Sequence, residues 1–338
     1  MYKVINGRDI PVNVMNLQLF AGSANIIDRT GAEALIPEQT SREIIQGVTE
    51  QSTVLAMGRK LPNMSSNRTV MPVLDMLPVA YFVNGDTGTK KTTKMAWDKK
   101  KIYAEEIAVI VPIPEAVLDD ADYDIWGEVK PRLVEAFGKV IDSAIFFDVG
   151  KPDNWRNGIF ATATAAGAVV TATSDMYKDI MGTAGVIAKI EKSGYMPTGH
   201  VADISLRSEL RELVDNNNRP LFKTDMQTST QYSLDGNAMK FPRNGFWDAT
   251  KAKMISGDFD QLVYSMRQDI TFKLFDQGVV QDPSTGDIVY NLMQNDMVAM
   301  RAVMRLGWEI PNPINSLETD KTKRCPFAVY APKADAGA

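Results

Sequence analysis

Residues 124–150, DIWGEVKPRLVEAFGKVIDSAIFFDVG, carry the longest helical pattern in the chain. Asp124 precedes this pattern as an N-cap residue, whose side chain can accept hydrogen bonds from free backbone N–H groups of the first turn. Pro131 lies near the start, where a proline disturbs a helix least, and Gly150 and Pro152 end the pattern. At about 1.5 Å per residue, a helix over 124–149 would be roughly 35–40 Å long and could connect distant parts of one subunit.

Apolar residues in this helix recur every three or four positions and therefore share one face. They are Leu133, Phe137, Val140, Ile141 and Ala144. The charged residues are expected largely off that face, namely Arg132, Glu135, Lys139 and Asp142. The pattern predicts an amphipathic helix that packs on a core along one side.

A strand-rich segment, 61–112, precedes the helix and shows few signs of a core of its own. Its two halves, TVMPVLDMLPVAYFVN (69–84) and KMAWDKKKIYAEEIAVIVPIP (94–114), flank turn-forming Gly, Thr and Asp residues, which predicts a long β-hairpin. Pro72 and Pro78 argue against a central strand, because proline cannot donate to a ladder of hydrogen bonds. An exposed arm of this kind favours a building block that reaches its neighbours over an enzyme.

Lysines make the tip and the returning strand of the hairpin basic: Lys90, Lys91, Lys94, Lys99, Lys100 and Lys101. Three interpretations remain open. In the first, the lysines only protect a solvated strand edge from aggregation. In the second, the basic arm meets an acidic patch on a neighbouring subunit. The candidate residues for that patch are Asp119, Asp120, Asp122 and Asp124. Contact with DNA ranks third, because no recognition helix accompanies the lysines.

Composition and charge exclude several classes of protein. The 338 residues are 44% hydrophobic and 23% charged, which is enough for one large or two ordinary domains with a core. The net charge of −5 excludes a chain that is basic as a whole and grips nucleic acid. No apolar run reaches the length of a membrane span, and the N-terminus lacks the pattern of a signal peptide, so synthesis inside the cell is expected.

The sequence offers little for catalysis. Cys325 is the single cysteine, so no disulfide can form within the chain, and His200 is the single histidine, which makes a histidine-built metal site or a Ser-His-Asp triad improbable. The motifs G-x-x-x-x-G-K-[ST], G-x-S-x-G, C-x-x-C and H-E-x-x-H are all missing. No catalytic, cofactor-binding or metal-binding residue is therefore predicted.

The remaining elements give an α+β chain in which strands and helices do not alternate regularly. Residues 1–36 have little periodicity and are either a disordered tail or an arm that lies on a neighbouring subunit. Thr40 and Glu43 form a capping box for a helix through about Met57. The apolar side of that helix would carry Ile44, Ile45 and Val48. Residues 161–173 are expected to be a loop or an edge strand. Further predicted elements are a helix over 176–194 capped by Ser174 or Asp175, a buried strand at 201–205 and a short helix at 206–215. Consecutive strands follow over 251–275, with turns at Gly257–Asp258 and near Gln268–Asp269, and then a hairpin loop at 282–287. The segment 295–310 is predicted to be a long strand, with a helix as the alternative, and a final strand is expected near 325–332.

The order of these elements resembles the major capsid proteins of tailed bacteriophages, which have the Hong Kong 97-type shell fold. The resemblance covers about 37–310 and rests on order and spacing. Its pieces are the arm with MNLQLFAG (15–22), the stretch IPEQTSREIIQGVTEQSTVLAMGRKLP (36–62), the hairpin, the helix that ends in FFDVG, and the late segments KMISGDFDQLVYSMRQDITFKLF (253–275) and NDMVAMRAVMRLGWEI (295–310).

The resemblance implies a division of the chain into four parts. These are an N-terminal arm (1–36), a peripheral domain (37–60, 113–154 and 291–338, including the spine helix 124–149), an extended loop (61–112) and an axial domain (155–290). The loops of the axial domain would meet around the centres of pentamers and hexamers. The long polar segment 216–237 is the expected tip loop.

By the same resemblance, the chain is expected to be a structural shell subunit without enzymatic activity or cofactor. It would assemble with itself into pentamers and hexamers that form an icosahedral head around double-stranded DNA, with only nonspecific contact to that DNA. A portal protein and a scaffolding protein would be its other partners, no membrane would be involved, and the protein would be made and assembled in the host cytoplasm and end in the virion.

Two departures from relatives matter, and three alternatives remain. Some relatives carry a long N-terminal scaffolding segment, whereas only a short leader precedes the arm here, which leaves two explanations open, a separate scaffolding protein or a gene product that was originally longer. Lys90, Lys91 and Lys94 lie in the arm that some relatives crosslink through a lysine–asparagine bond, but no partner asparagine is identified and no crosslink is predicted.

The alternatives are an encapsulin-like compartment that holds cargo, an α+β enzyme with an unrecognised site, and a tail or decoration protein, which would not need both arms.

Overall fold

The computed structural model describes the backbone of residues 2–5 and 8–11, and residues 52–83, 89–121, 124–214, 233–282 and 284–333. Residues 1–45 and 46–338 form two separate units. In the first unit, two short strands pair antiparallel, with Tyr2 opposite Pro11. The predictions for MNLQLFAG, the Thr40 capping box and most of the tip loop fall outside the described residues.

Sixteen strands and seven helices are found among the described residues. The strands are Tyr2–Ile5 (β1), Arg8–Pro11 (β2), Arg59–Lys60 (β3), Arg68–Met76 (β4), Ala96–Tyr103 (β5), Glu105–Pro114 (β6), Val169–Thr171 (β7), Gly199–Ala202 (β8), Ser233–Leu234 (β9), Asn237–Lys240 (β10), Met254–Gly257 (β11), Val263–Phe275 (β12), Val279–Gln281 (β13), Ile288–Asn291 (β14), Met297–Glu309 (β15) and Phe327–Ala331 (β16). The helices are Thr53–Met57 (α1), Glu115–Asp119 (α2), Ile125–Phe147 (α3), Ile159–Ala165 (α4), Met176–Met181 (α5), Val186–Lys192 (α6) and Leu206–Glu212 (α7).

The long helix α3 follows its predicted pattern closely. Its 23 residues include Pro131 in the second turn and bury Leu133, Phe137, Ile141 and Ala144, whereas Val140 is 45% exposed. Two details differ from prediction. The Asp124 side chain makes no capping hydrogen bond, and the helix ends at Asp148, which adopts φ 62°, before Gly150 is reached.

Asp142 is a correction to the predicted polar face of α3. It was expected largely off the apolar face, but its side chain is fully buried. It follows Ile141 directly, at the edge of the buried face, and there it accepts hydrogen bonds from the start of α1. Helix α1 begins at Ser52, whose backbone is not helical (φ −53°, ψ 131°), so the predicted helix from Thr40 to Met57 is not continuous.

The predicted hairpin is confirmed as the antiparallel pair β4–β5, in which Arg68 lies opposite Tyr103 and Met76 opposite Ala96. The chain then turns directly into β6, which belongs to a four-stranded sheet with the order β3-β12-β15-β6. Within it, the long strands β12 and β15 pair antiparallel, a partnership that the sequence had not indicated. Strand β12 continues through Gln268 and Asp269, where a turn between two strands was expected, and only its register against β15 shifts there. Residues 105–112, counted with the extended loop at the sequence level, therefore lie in this sheet.

The second half of the chain forms a six-stranded sheet with the order β7-β16-β11-β8-β10-β9. The predicted strands at 201–205 and 325–332 correspond to β8 and β16, and the final strand pairs with β11 and β7 inside this sheet. One prediction here is wrong, and another holds only in part. The helix expected over 176–194 is divided into α5 and α6 by the turn between Gly182 and Gly185. Of the segment 161–173, expected to be a loop or an edge strand, the first residues belong to the helix α4, whereas 169–171 form β7 at the edge of this sheet.

The main core joins α3, the helices α4–α7, the six-stranded sheet and the inner face of β15. A separate small cluster of Met64, Ile102, Ala104 and Val263 lies at the base of the β4–β5 hairpin. The hairpin therefore attaches to the body through a small apolar base.

Candidate interaction surfaces

The described residues contain a serine–histidine pair, but it is sealed inside the six-stranded sheet. The His200 Nδ1 atom lies 2.8 Å from Ser256 Oγ, and Nε2 lies 3.0 Å from the Leu234 carbonyl oxygen. Nε2–H therefore donates to that carbonyl, and Nδ1 accepts from the serine hydroxyl. Both side chains are fully buried, and burial lowers the pKa of His200. Because no substrate can reach it, the pair serves to satisfy polar groups in the core.

Other routes to chemistry are also closed within the described part of the chain. No group of three or more His, Cys, Asp or Glu residues there could hold a metal ion. Cys325 is buried, and burial raises the pKa of its thiol to about 11, which keeps the thiol protonated and unreactive. Among these same residues, no helix combines the length and apolar character that crossing a membrane requires.

The hairpin has an exposed surface of mixed apolar and basic composition. Every described side chain in 78–83 and 89–95, the part that we call the hairpin tip, is exposed. Large apolar residues are among them, with Val79 70% and Phe82 fully exposed, and Trp97 on the adjoining strand is 63% exposed. Several large apolar side chains exposed on one projecting segment are typical of a surface that contacts a partner.

The two legs of the hairpin tip stay side by side without a regular ladder. The Val79 amide donates to Thr93 Oγ1 over 3.0 Å, and the Tyr81 hydroxyl donates to the Lys91 carbonyl over 2.5 Å. The Lys91 ammonium lies 5.8 Å from the centroid of the Tyr81 ring, within reach of a cation–π interaction. The tip is thus preorganised enough to present a defined apolar and basic surface.

The structure places the predicted contact residues as follows. Five of the six lysines are exposed, and Lys100 is half-buried. Asp119 and Asp120 are exposed at the end of α2, whereas Asp122 lies outside the described residues. Within the described part of one subunit, none of these lysines forms an ion pair with Asp119 or Asp120, so the structure does not bring the two groups together inside one chain.

Three of the lysines contribute to a cleft of about 340 Å³ at the base of the hairpin. Its walls are Lys99, Lys100, Lys101, Tyr103, Asn154, Trp155, Arg156, Trp308 and Glu309. Arg156 donates to Glu309 over 2.6 Å, and the Trp155 indole donates to the Tyr103 carbonyl over 3.2 Å. The Trp155 hydrogen bond ties the end of β5 to the body, and the Arg156 pair fixes the same loop to the end of β15. No sequence pattern pointed to either contact, because the partners are far apart in the chain.

A second exposed hairpin, β13–β14, confirms the hairpin loop that was predicted at 282–287. Its strand β14 exposes three consecutive apolar side chains, with Ile288 62%, Val289 50% and Tyr290 39% exposed, and Met293 beyond it is 67% exposed. The run of Ile, Val and Tyr beside a polar turn was a usable signal for this surface. The body thus carries two hairpins with exposed apolar side chains.

Comparison with known proteins gives consistent matches over most of the chain. A model of the phage capsid family matches residues 32–317. A curated relative described as the major capsid protein of Staphylococcus phage 80alpha is 25% identical over 309 residues, covering 88% of this chain and 90% of the relative.

Solved structures agree with the sequence matches. A chain from Microbacterium phage Oxtober96 is 32% identical and has a TM-score of 0.78. The match covers 91% of this chain and 99% of that one. A chain from Mycobacterium phage Cain is 29% identical with the same TM-score of 0.78, and the match covers 92% of this chain and all of that one.

Proposed function

The chain belongs to the phage capsid family, and from this membership we propose that the exposed hairpin tip is a joint between neighbouring subunits of a phage head. The protein is a major capsid protein with the Hong Kong 97-type shell fold, a structural subunit and not an enzyme. None of the matches supports the encapsulin-like compartment that the sequence left open. The single observation that carries the proposed joint is the complete exposure of the hairpin tip, with Val79 and Phe82 facing water.

Burial of this surface on a neighbour provides a driving force for assembly. At about 1.5–3 kcal/mol for each large apolar side chain, covering Val79, Phe82 and Trp97 would contribute roughly 5–9 kcal/mol per arm before the cost of association is subtracted. Every subunit of a shell repeats the contact, so a moderate free energy from each contact suffices to stabilise the whole shell. The subunits would close the shell as pentamers and hexamers, as the resemblance implies.

The basic residues add direction to this contact. Lys90, Lys91, Lys94, Lys99 and Lys101 are exposed on the arm, and Asp119 and Asp120 are exposed on the body without an ion pair to these lysines inside the chain. In our proposal the lysines meet Asp119, Asp120 and Asp122 of a neighbouring subunit. Such exposed pairs would contribute about 0.2–1 kcal/mol each, which is enough to favour one docking direction over others.

The division into domains is part of the same proposal. The axial domain would be built around the six-stranded sheet, and the peripheral domain around α3 and the four-stranded sheet, with the extended loop ending where β5 ends. A portal protein and a scaffolding protein would be the other partners. Assembly would take place in the host cytoplasm, and the shell would enclose the DNA without gripping it, in keeping with the net charge of −5.

Replacement of the tip tests the joint more cleanly than deletion of the whole segment, because β6 belongs to a core sheet. In the tip variant, residues 77–95 are replaced by Asn-Gly, a two-residue turn that suits the antiparallel partners Met76 and Ala96. A V79S/F82S variant keeps the full length, and V149S removes an exposed valine elsewhere (53% exposed) as the matched control.

Negative-stain electron microscopy of each purified chain gives the readout, with circular dichroism to confirm the fold. We expect closed shells from the wild type and from V149S, and folded but unassembled subunits from the tip variant and from V79S/F82S. Closed shells from the tip variant would refute the joint. A wild-type chain that stays monomeric at high concentration would refute assembly driven by this chain alone.

A further inference from the structure

The loop between β15 and β16, residues 311–324, touches the hairpin β4–β5 at its far end, and we call it the bracket loop. The Ile314 amide donates to the Leu74 carbonyl over 3.0 Å. The Lys321 Nζ atom lies 2.6 Å from Asp98 Oδ2 and 3.8 Å from Asp75 Oδ1, so one ammonium bridges both strands of the hairpin. These contacts join residues more than 220 positions apart in the chain.

The local form of the hairpin makes room for this bridge. The strand register shifts between Leu74, opposite Trp97, and Met76, opposite Ala96, which leaves Asp75 in a β-bulge without a partner. Bulges often turn a side chain toward a specific contact. Here two carboxylates, Asp75 and Asp98, share one lysine and would repel each other without it.

The bracket loop is itself anchored to the body. Arg324 is 3% exposed and donates to the Asn312 side chain over 3.0 Å and to the carbonyls of Asn312 and Glu318 over 3.1 and 3.0 Å. Asn312 donates in return to the Arg324 carbonyl, and Asn315 donates to the Ser193 carbonyl, each over 2.8 Å. The loop is thus braced from within by a buried guanidinium, so it can hold the hairpin in a fixed place.

The hairpin therefore has two supports. Its base is fixed by the small apolar cluster with Ile102 and Ala104, and its far end by the bracket loop. The strand β4 has nine residues, which corresponds to about 30 Å. A pivot of about 10° at the base would move the end of β4 by about 5 Å, more than a packed contact between subunits tolerates.

We infer that Lys321 is a positioning residue for assembly, which fixes the direction in which the hairpin tip leaves the subunit. This inference rests on the proposed role of the tip as a joint. Lys321 does not need to touch a neighbouring subunit to act. It acts by holding Asp98 and Asp75 against the braced bracket loop, so that every subunit offers its tip at the same angle.

Charge reversal and charge exchange test this role. The variants are K321E, D98K and the exchanged pair D98K/K321E. The matched control is K323E, which makes the same charge change two residues away, where the lysine pairs only with Asp320 of its own loop, 3.7 Å distant. All three positions are on the surface, so the melting temperature of each variant should stay close to that of the wild type.

Two measurements separate positioning from mere folding. In unassembled subunits, the rate of hydrogen exchange at the Ile314 amide reports the contact with the Leu74 carbonyl. We expect this rate to be roughly two- to fivefold faster in K321E and D98K than in the wild type. The rate should be unchanged in K323E and should return toward the wild-type value in D98K/K321E. In electron micrographs, we expect K321E and D98K to give open or irregular assemblies, and D98K/K321E to recover closed shells.

The results that would overturn the inference differ from those that would overturn the joint. Wild-type exchange at Ile314 and closed shells in K321E would refute the role of Lys321 while leaving the joint intact. Exchange or shells that D98K/K321E fails to restore would also refute it. If the variant with the replaced tip still closes shells, the proposed joint fails, whatever K321E does.

Discussion

Removal of the Asp142 carboxylate should destabilise the subunit more than almost any other single polar change. The carboxylate is fully buried on α3 and accepts hydrogen bonds from Ser52 Oγ over 2.5 Å, from the Thr53 amide over 2.7 Å and from the Val54 amide over 3.1 Å. The two amides belong to the first turn of α1, which has no partners for them inside the helix. Asp142 thus caps a helix that lies about 90 positions earlier in the chain.

The expected cost follows from what D142A leaves behind. Two backbone amides and one hydroxyl would lose their acceptor in a buried place, at about 1–3 kcal/mol each. Part of this cost is offset, because the wild type must desolvate a carboxylate, and burial is the main reason that the pKa of Asp142 is raised. The net loss in the free energy of unfolding should be about 3–5 kcal/mol.

Urea unfolding of dissociated subunits measures this difference. D142N should fall between D142A and the wild type, because its amide keeps one acceptor oxygen but turns N–H donors toward other donors. E135Q is the control on the same helix. Glu135 pairs with Arg132 over 3.1 Å at the partly exposed surface, so its loss should cost less than about 1 kcal/mol. A D142A subunit within about 1 kcal/mol of the wild type would show that desolvation cancels the capping contacts.

The pH dependence gives an independent check. Because the pKa of Asp142 is raised above 3.8 in the folded state, the folded chain binds this proton more tightly than the unfolded chain does. The contribution of this group to the free energy of unfolding therefore decreases as the pH rises from about 3.8 through the folded-state pKa. D142N should lack this component of the pH dependence. An identical pH profile in D142N and the wild type would contradict the assigned shift.

Two further predictions concern the body of the subunit. In G307A the new Cβ atom would collide with the Tyr103 carbonyl and lie 2.7 Å from Ile102 Cγ2. We therefore expect the free energy of unfolding to decrease by about 1–3 kcal/mol and the melting temperature to fall. An unchanged melting temperature would mean that β5 and β15 can separate freely. Cys325, with a pKa of about 11, should resist iodoacetamide at pH 8 in the folded chain and react once urea unfolds it, whereas rapid labelling of the folded chain would show that its pocket opens.

Local patterns predicted the elements that bury one face along their whole length. The stripe of α3 repeats over several turns, and Met300, Ala302, Met304 and Leu306 of β15 alternate with less buried neighbours, so both elements appear in the structure as predicted, whereas Leu274 of β12, predicted to alternate inward, is 55% exposed. Short or interrupted elements were harder to predict. Residues 159–165 consist mostly of small and β-branched residues, and their helix is stabilised by packing of Ile159 and Ala163 in the core.

Some surface features could likewise be predicted from the sequence, and others could not. The exposed hairpin and its lysines could be predicted because a long β-arm without a core has a recognisable composition. Asp142 and Lys321 could not be, since each acts on a partner about 90 or more positions away, and no periodicity records such pairs. A charge on a helix or in a loop is usually solvated, so only the folded chain shows the exceptions.

Two of the alternative interpretations of the hairpin lysines, protection of an edge and docking on a neighbour, are compatible with each other. An arm with Val79, Phe82 and Trp97 in water risks indiscriminate association, and interspersed lysines are a common protection for such edges. In the proposed joint, the same lysines would favour docking where carboxylates face them, so protection and recognition need not be separate functions. In the inferred role of Lys321, an arm held at two points would reach a partner at one angle only. Together the two proposals explain how a subunit with exposed apolar side chains could favour the geometry of a shell over other forms of association.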